Sequence, residues 1–440
     1  MPMEWARLLS SKRLRNEGAP PVPEDGRSEF QKDYDRIVFS RPFRRLQGKT
    51  QVHPLPDNDH VHTRLTHTLE VASVGRSLGA RVGIALQNAD NLPPGICPPD
   101  LGSILQAACL AHDIGNPPFG HAGEEAIRGW FHQNPDVLKG LNDLQRLDLQ
   151  NFEGNAQGLR VLTQLEGHLF SGGLRPTFAT LGTFIKYPWC SGHSASIGKR
   201  KFGFFQTERE VMGEIASELG LIPIGPGSWV RHPLVFLVEA ADDICYAIVD
   251  LEDAHEMGIL PVQEIDNILT IGLTDSERIE YATLADEDPF RRLGYLRGKV
   301  VDYLVHQVTE AFSKNEERIL NGEFDGELVL QCEEKAAEIV QKAKLLAHEM
   351  VFVNPRKVQI EIGAYSIIDV LLREFCTAYL EVKEARISFK ARHILDLLGV
   401  NAPGALDSVY PALIRITDFV SGCTDKYAAQ LSQRLSGTAF

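Results

Sequence analysis

His112 and Asp113 stand side by side in CLAHDIGNPPFGHAGEE, with His67 upstream in RLTHTLEV and Asp242 downstream in EAADDICYAIVDLEDA. Two imidazoles and two carboxylates, each on an apolar segment of helical period, make the four protein ligands that one divalent metal needs. A mixed nitrogen and oxygen set suits Mn²⁺, Fe²⁺, Mg²⁺ or Zn²⁺ and leaves positions for water and a phosphate oxygen. The chemistry of such a centre is metal-assisted hydrolysis of a phosphate ester. Asp242 sits within PLVFLVEAADDICYAIV, where an unpaired carboxylate is costly if buried, so Asp242 or Asp243 needs a partner. A cation is one candidate, and a His–Asp hydrogen-bond network without an ion is the other.

The elements that must position these groups read as helices. Apolar residues recur at three and four through 61–87 (Leu65, Leu69, Val71, Val74, Leu78, Val82), which predicts a long helix carrying His67. A Pro-rich loop at 90–100 precedes an apolar helix at 101–114 that ends at the His-Asp pair. Gly115, Pro117, Pro118 and Gly120 break the chain there, and a new helix starts near His121 with Glu124 and Glu125 in its first turn. Further helices are predicted at 151–168, 208–219, 232–256, 285–320, 325–350, 362–382, 385–399 and 408–436. Residues 30–48 have helical spacing interrupted near Pro42. Residues 171–206 read as an irregular excursion with room for a short hairpin, and 1–30, rich in Pro and Gly, as an extended arm. The fold class is mainly α, with few or no strands.

Composition narrows the setting. No apolar run is long enough to span a bilayer, and the N-terminus has no apolar signal core behind its charges. The seven cysteines form no CxxC pair, which fits buried thiols in a reducing cytoplasm better than a disulfide frame. A formal charge of −14 argues against a general nucleic-acid coat protein, although basic clusters in SKRLRNEG, SRPFRRLQGKTQ and SIGKRKFGFF leave room for a local polyanion pocket. P-loop, dinucleotide-fold and nucleophile-elbow signatures are absent from the sequence.

The order His…His-Asp…Asp resembles the HD-domain phosphohydrolase superfamily. The longer strings FRRLQGKTQV, TRLTHTLEV, HDIGNPPFGHAGEEA, KYPW and AADDICYAIVDLEDA, in that order, make residues 28–256 similar to the bacterial deoxyguanosine triphosphate triphosphohydrolases and their relatives. Beyond 260 the likeness is only in being helical. The resemblance implies an HD helical bundle at 61–256, an N-terminal segment at 1–60 that contacts substrate and other subunits, and a helical C-terminal region at 257–440.

It also implies an activity: cleavage of a deoxynucleoside triphosphate, dGTP or several dNTPs, into deoxynucleoside and inorganic triphosphate. The implied metal ligands are His67, His112, Asp113 and Asp242, holding one divalent ion per subunit, Mn²⁺ or Mg²⁺. Asp242 is taken over Asp243 because Tyr246 follows it by four residues. His121 is implied as the proton donor to the leaving oxygen, with Glu124 charging or orienting its ring; a helix-capping role is the bland alternative. Arg64 would grip a phosphate, Gln51 would touch the deoxyribose or base, Tyr246 would pack where a 2′-hydroxyl would stand, and Asp250 would accept from the 3′-hydroxyl. Lys186, Tyr187 and Asn155 match family strings without a firm role. The family further implies a homo-oligomer, often a hexamer, with a nucleotide effector in some members. An HD-domain phosphatase or phosphodiesterase would share the ligands but would not need Tyr246, Asp250 or the FRRLQGKTQV string; a non-catalytic nucleotide-sensing protein would keep the pocket but would not need every metal ligand.

Overall fold

The computed structural model describes residues 1–14, 26–51, 60–166, 173–198, 200–351 and 353–438. Helices dominate, and the one sheet among these residues is a two-stranded hairpin, Pro223–Gly225 with Ser228–Trp229. The mainly α class is therefore as the sequence predicts. Eight helices carry the site or pack around it: α1 (Arg64–Asn88), α2 (Pro98–Ala111), α3 (Gly120–Gln133), α4 (Val235–Glu256), α5 (Pro289–Leu320), α6 (Pro355–Lys383), α7 (Val409–Ser421) and α8 (Asp425–Leu435).

Helix α1 begins at a capping box, with the Thr63 side chain accepting from the Thr66 amide. Along its buried face Gly75, Gly79 and Gly83 follow one another at four-residue intervals. A Cβ on Gly79 would lie 2.5 Å from the Leu101 carbonyl oxygen, and one on Gly75 would lie 2.5 Å from the Cys109 sulfur. This bare stripe lets α2 run directly against α1. That approach brings the C-terminal end of α2, where His112 sits, beside His67 in the second turn of α1. Helix α2 is nearly all buried, which its unbroken apolar sequence requires.

Two apolar clusters divide the interior. One gathers α1, α2, α4 and α5 with the N-terminal segment; the other joins α3 and the 138–156 stretch to α6, α7 and α8. The cavity described below lies where the two meet.

Several predicted boundaries differ, each for a local reason. The N-terminal segment is not a free arm where it is described: Trp5–Leu8 is a short helix, and Met3, Trp5, Leu8, Leu9 and Leu14 are buried. The Pro20–Pro23 stretch lies outside the described residues. Helix α2 starts at Pro98, because a proline suits a first helical position, and stops at Ala111, so Asp113 sits in the turn beyond. Phe178–Phe184 is a helix inside the supposed irregular excursion; buried on every side, it offers no amphipathic period to read. The hairpin falls at 223–229 instead. The expected helix at 408–436 is two, separated at Gly422 and restarted by the Thr424 side chain, which accepts from the Tyr427 amide.

Candidate active site

His67, on α1, is 1% exposed, and its Nε2 lies 3.0 Å from Asp242 Oδ1 on α4. His112 Nε2 is 3.8 Å from the same carboxylate oxygen, and the two imidazole centroids are 5.5 Å apart. One ligand atom from each of His67, His112 and Asp242 lies within 4.8 Å of the others. His112 Nδ1 is 2.7 Å from the Cys109 carbonyl oxygen, which accepts a hydrogen bond from the Nδ1–H and so leaves the Nε2 lone pair facing the cluster. That is the tautomer a metal ligand requires.

Asp113 borders the cluster, its Oδ1 3.7 Å from His112 Nε2. It is not among the three that converge. Its Oδ2 is engaged by the Arg64 guanidinium and its Oδ1 by the Asn116 amide. Enclosure alone would raise both carboxyl groups, but the surrounding cations win. Arg64, with His112 and His67 when those rings are protonated, holds Asp113 down at about 2, and a hydrogen bond from protonated His67 with the charges of the two rings in that form holds Asp242 far below the usual carboxylate range. Two ionised carboxylates beside two imidazoles at this spacing fit a divalent cation.

The cluster opens into a cavity of about 550 Å³. Gln51, Arg64, His112, Asp113, His121, Glu124, Asp242 and Tyr246 all line it, as do Asn155, Lys186 and Tyr187. His67 is packed behind the wall. Asp250 is not on the lining: it is 1% exposed, its Oδ2 has no hydrogen-bond partner, and burial pushes its carboxyl up to about 7. Helix geometry explains the split. Starting from Asp242, a step of four residues turns the side chain by only about 40°, whereas eight turn it by about 80°, which carries Asp250 off the cavity face.

His121 heads α3 after an unusual turn. Phe119 holds φ +64 in the left-handed region, a conformation that costs a non-glycine residue about 1–3 kcal/mol, and Gly120 follows at φ +56. Burial lowers the His121 ring; the Glu124 charge opposes this, and Lys201 and Arg64 add to it. The Glu124 carboxylate does not hydrogen-bond to that ring: Oε1 accepts from the Gly154 amide at 2.8 Å, and Oε2 lies 3.6 Å from Lys201 and Arg128. Its influence on His121 is through charge.

Three cations besides Arg64 face the cavity. Lys186 pairs with Glu239 at 3.3 Å, Lys201 with Glu153 at 2.9 Å, and Lys357 on α6 with Glu361. Lys201 comes from the basic cluster SIGKRKFGFF, which the sequence singled out without assigning. Lys357, Ile360 and Glu361 had no signal in the sequence; they reach the cavity only because α6 folds back onto α3. Lys49, from the basic string SRPFRRLQGKTQ, is buried away from the cavity and donates to the carbonyls of Asn116 and Ser421, so it contacts no open phosphate site.

Comparison with known proteins agrees with this geometry. An HD-domain pattern matches residues 64–178, a span that holds His67, His112, Asp113, His121 and Glu124 and ends before Asp242. A deoxyguanosinetriphosphate triphosphohydrolase-like protein of Pseudomonas aeruginosa (strain LESB58) is 49% identical over 443 residues, 99% of either chain. The chain belongs to the deoxyguanosinetriphosphate triphosphohydrolase-like family of HD-domain proteins. A family member from Synechocystis is 41% identical over 450 residues, again 99% of each chain. A deoxyguanosinetriphosphate triphosphohydrolase of Klebsiella pneumoniae (strain 342) is 31% identical over 488 residues, 92% of this chain and 93% of that one. Similarity at this extent includes the helices after 260, where sequence strings alone carried no likeness. Membership supports a phosphohydrolase role. No helix among the described residues is long and apolar enough to cross a membrane.

Proposed function

We propose that the protein hydrolyses deoxynucleoside triphosphates at the α-phosphate, releasing a deoxynucleoside and inorganic triphosphate. The observation that carries this reading is the opening of the His67–His112–Asp242 cluster onto one cavity that also presents Arg64, Lys186 and Lys201. Each of these cations is paired with a carboxylate in this structure, and each is a side chain that a triphosphate oxygen can engage beside the cluster.

A divalent ion, Mn²⁺ or Mg²⁺, held by His67, His112, Asp113 and Asp242 would lower the pKa of an attacking water and screen the phosphate charge. The chain's own groups do the rest. Arg64, Lys186 and Lys201 bind and orient the triphosphate and take up the charge that builds on its oxygens. His121 gives the leaving O5′ its proton, and Glu124 biases the ring toward its protonated form. Tyr246 and Gln51 face the deoxyribose and base, and Tyr246 excludes a 2′-hydroxyl. Residues 61–256 form the hydrolase core in this reading, with 1–60 and 257–440 closing the cavity around it. Assembly as a homo-oligomer, a hexamer in the family pattern, and response to an effector nucleotide belong to the same proposal; light scattering with and without dNTP reads both.

The deciding assay takes the purified protein with Mn²⁺ or Mg²⁺ and each of the four dNTPs, singly and in pairs, with products resolved by ion exchange. Deoxynucleoside with triphosphate is expected. Orthophosphate as the product, or no turnover of any dNTP by metal-loaded protein, overturns the reading.

A further inference from the structure

The turn that carries His121 is held from the far end of the chain. Phe119 occupies the N-cap position of α3, yet its own side chain cannot accept from the helix's first amides. Asp425, the first residue of α8 and 1% exposed, has its Oδ1 2.9 Å from the Phe119 amide, 306 residues away in sequence. Its Oδ2 accepts from both the amide and the hydroxyl of Thr50, the amide at 2.9 Å. Thr50 in turn pairs antiparallel with Thr63, the cap of α1, and precedes Gln51 on the cavity wall. One carboxylate thus ties together the left-handed turn before His121, the bridge residue before Gln51 and the start of the helix that bears Arg64 and His67. Thr50 and Phe119 line the cavity but Asp425 does not, and a buried carboxylate with three donors is far more than the cap of α8 needs, because Thr424 already supplies that.

We propose that Asp425 is a positioning residue for the hydrolase site, capping α3 in trans at Phe119 and pinning Thr50. The C-terminal helix then sets where His121 and Gln51 stand relative to the metal cluster. A second bridge runs parallel: Lys49 donates to the carbonyls of Asn116, on the loop holding Asp113, and Ser421, at the end of α7. The inference rests on the triphosphohydrolase reading for its kinetic part only.

The test compares full-length Asp425→Ala, Asp425→Asn and Thr424→Ala with the unaltered protein. Bound Mn²⁺, kcat and KM for the best dNTP, Tm, and amide exchange of the 113–125 peptide by mass spectrometry are measured for each. Asp425→Ala is expected to keep its metal and its KM while kcat falls roughly 10- to 100-fold, the scale of a small misplacement of a catalytic group. Exchange across 113–125 should quicken. Asp425→Asn, nearly isosteric and able to accept on one side only, should fall between. Thr424→Ala removes the cap of α8 without touching Phe119, so it should lower Tm and leave kcat in place. The proposal is overturned if the two Asp425 variants exchange and turn over like the unaltered protein, or if Thr424→Ala loses as much kcat as Asp425→Ala at equal loss of Tm. Should the unaltered protein turn over no dNTP, the hydrolase reading falls by itself, and the exchange comparison still decides whether Asp425 holds the turn.

Discussion

Arg64 and Asp113 form a buried ion pair at the edge of the histidine cluster, the guanidinium from the first turn of α1 and the carboxylate from the loop after α2. The side chain suited to a phosphate and the side chain suited to a metal are therefore partners in this structure. A cation bound at the cluster competes with Arg64 for Asp113, and a phosphate competes with Asp113 for Arg64. Metal and triphosphate entering together satisfy both groups at once. Binding of each should favour binding of the other.

That coupling is measurable. Arg64→Ala leaves Asp113 enclosed with only Asn116 and the histidines, a loss of about 1–3 kcal/mol in metal-free protein. Added Mn²⁺ should recover much of it, because the ion takes over the neutralising role and stabilises by mass action. Denaturant midpoints with and without Mn²⁺ read the recovery, and KM for a dNTP should rise at least tenfold. Equal metal-free stability with an unchanged KM would remove Arg64 from both roles.

His121→Ala should retain bound metal and substrate affinity while kcat drops roughly 10²–10⁴-fold, the usual contribution of one acid–base group. Glu124→Gln probes the charge separately. The amide oxygen can still accept from the Gly154 amide, so the fold is kept, but the carboxylate that raises the His121 ring most is gone, leaving Asp113 as the smaller one. A proton donor works only while protonated. The alkaline limb of the kcat/KM profile should move to lower pH in Glu124→Gln, and a limb that stays put dismisses His121 as the donor.

The site was legible in the sequence wherever a reactive residue interrupts an apolar helix. His67, His112 and Asp242 stand out because a titratable side chain set in an apolar helix calls for a partner, and the structure brings the three together. Asp113 was legible as a neighbour, not as a group already paired with Arg64. Asp250 shows the limit of spacing arguments: an eight-residue step accumulates enough rotation to leave the cavity face. Lys357, Glu361 and Asp425 were invisible because only tertiary folding, across more than 200 residues, delivers them to the 113–121 turn. Among elements, the amphipathic helices were readable and Phe178–Phe184 was not, since a segment buried all round has no polar face to set its period.

His62 gives a pH signature away from the cluster. Its Nδ1 lies 2.6 Å from Asp253 and its Nε2 3.2 Å from Glu70. Burial lowers the ring, but the two carboxylates overcome it and raise it from 6.5 to about 10. A raised folded value contributes stability that is complete below pH 6.5 and lost as pH rises through about 10. Lys49, lowered to about 7 by burial, works in the opposite direction on the total, so a difference must be taken. The urea midpoint of the unaltered protein minus that of His62→Gln should shrink between pH 6 and pH 9.5. A constant difference would show that the imidazolium is not held by these carboxylates.

Sugar discrimination falls on Tyr246 more than on Asp250. Tyr246 lines the cavity, one turn from Asp242, whereas Asp250 is enclosed behind it with one oxygen unpartnered. If the tyrosine ring fills the space of a 2′-hydroxyl, Tyr246→Ala should reduce the dNTP/NTP ratio of kcat/KM by roughly 10-fold or more, the range a single packing contact supplies. Asp250→Asn should leave that ratio nearly unchanged. It should also stabilise the protein above pH 7: a carboxyl raised to about 7 by burial penalises folding once ionised, and an amide carries no such penalty. A large fall in the ratio for Asp250→Asn, with Tyr246→Ala unaffected, would reverse the two roles and place Asp250 at the sugar 3′-hydroxyl after all.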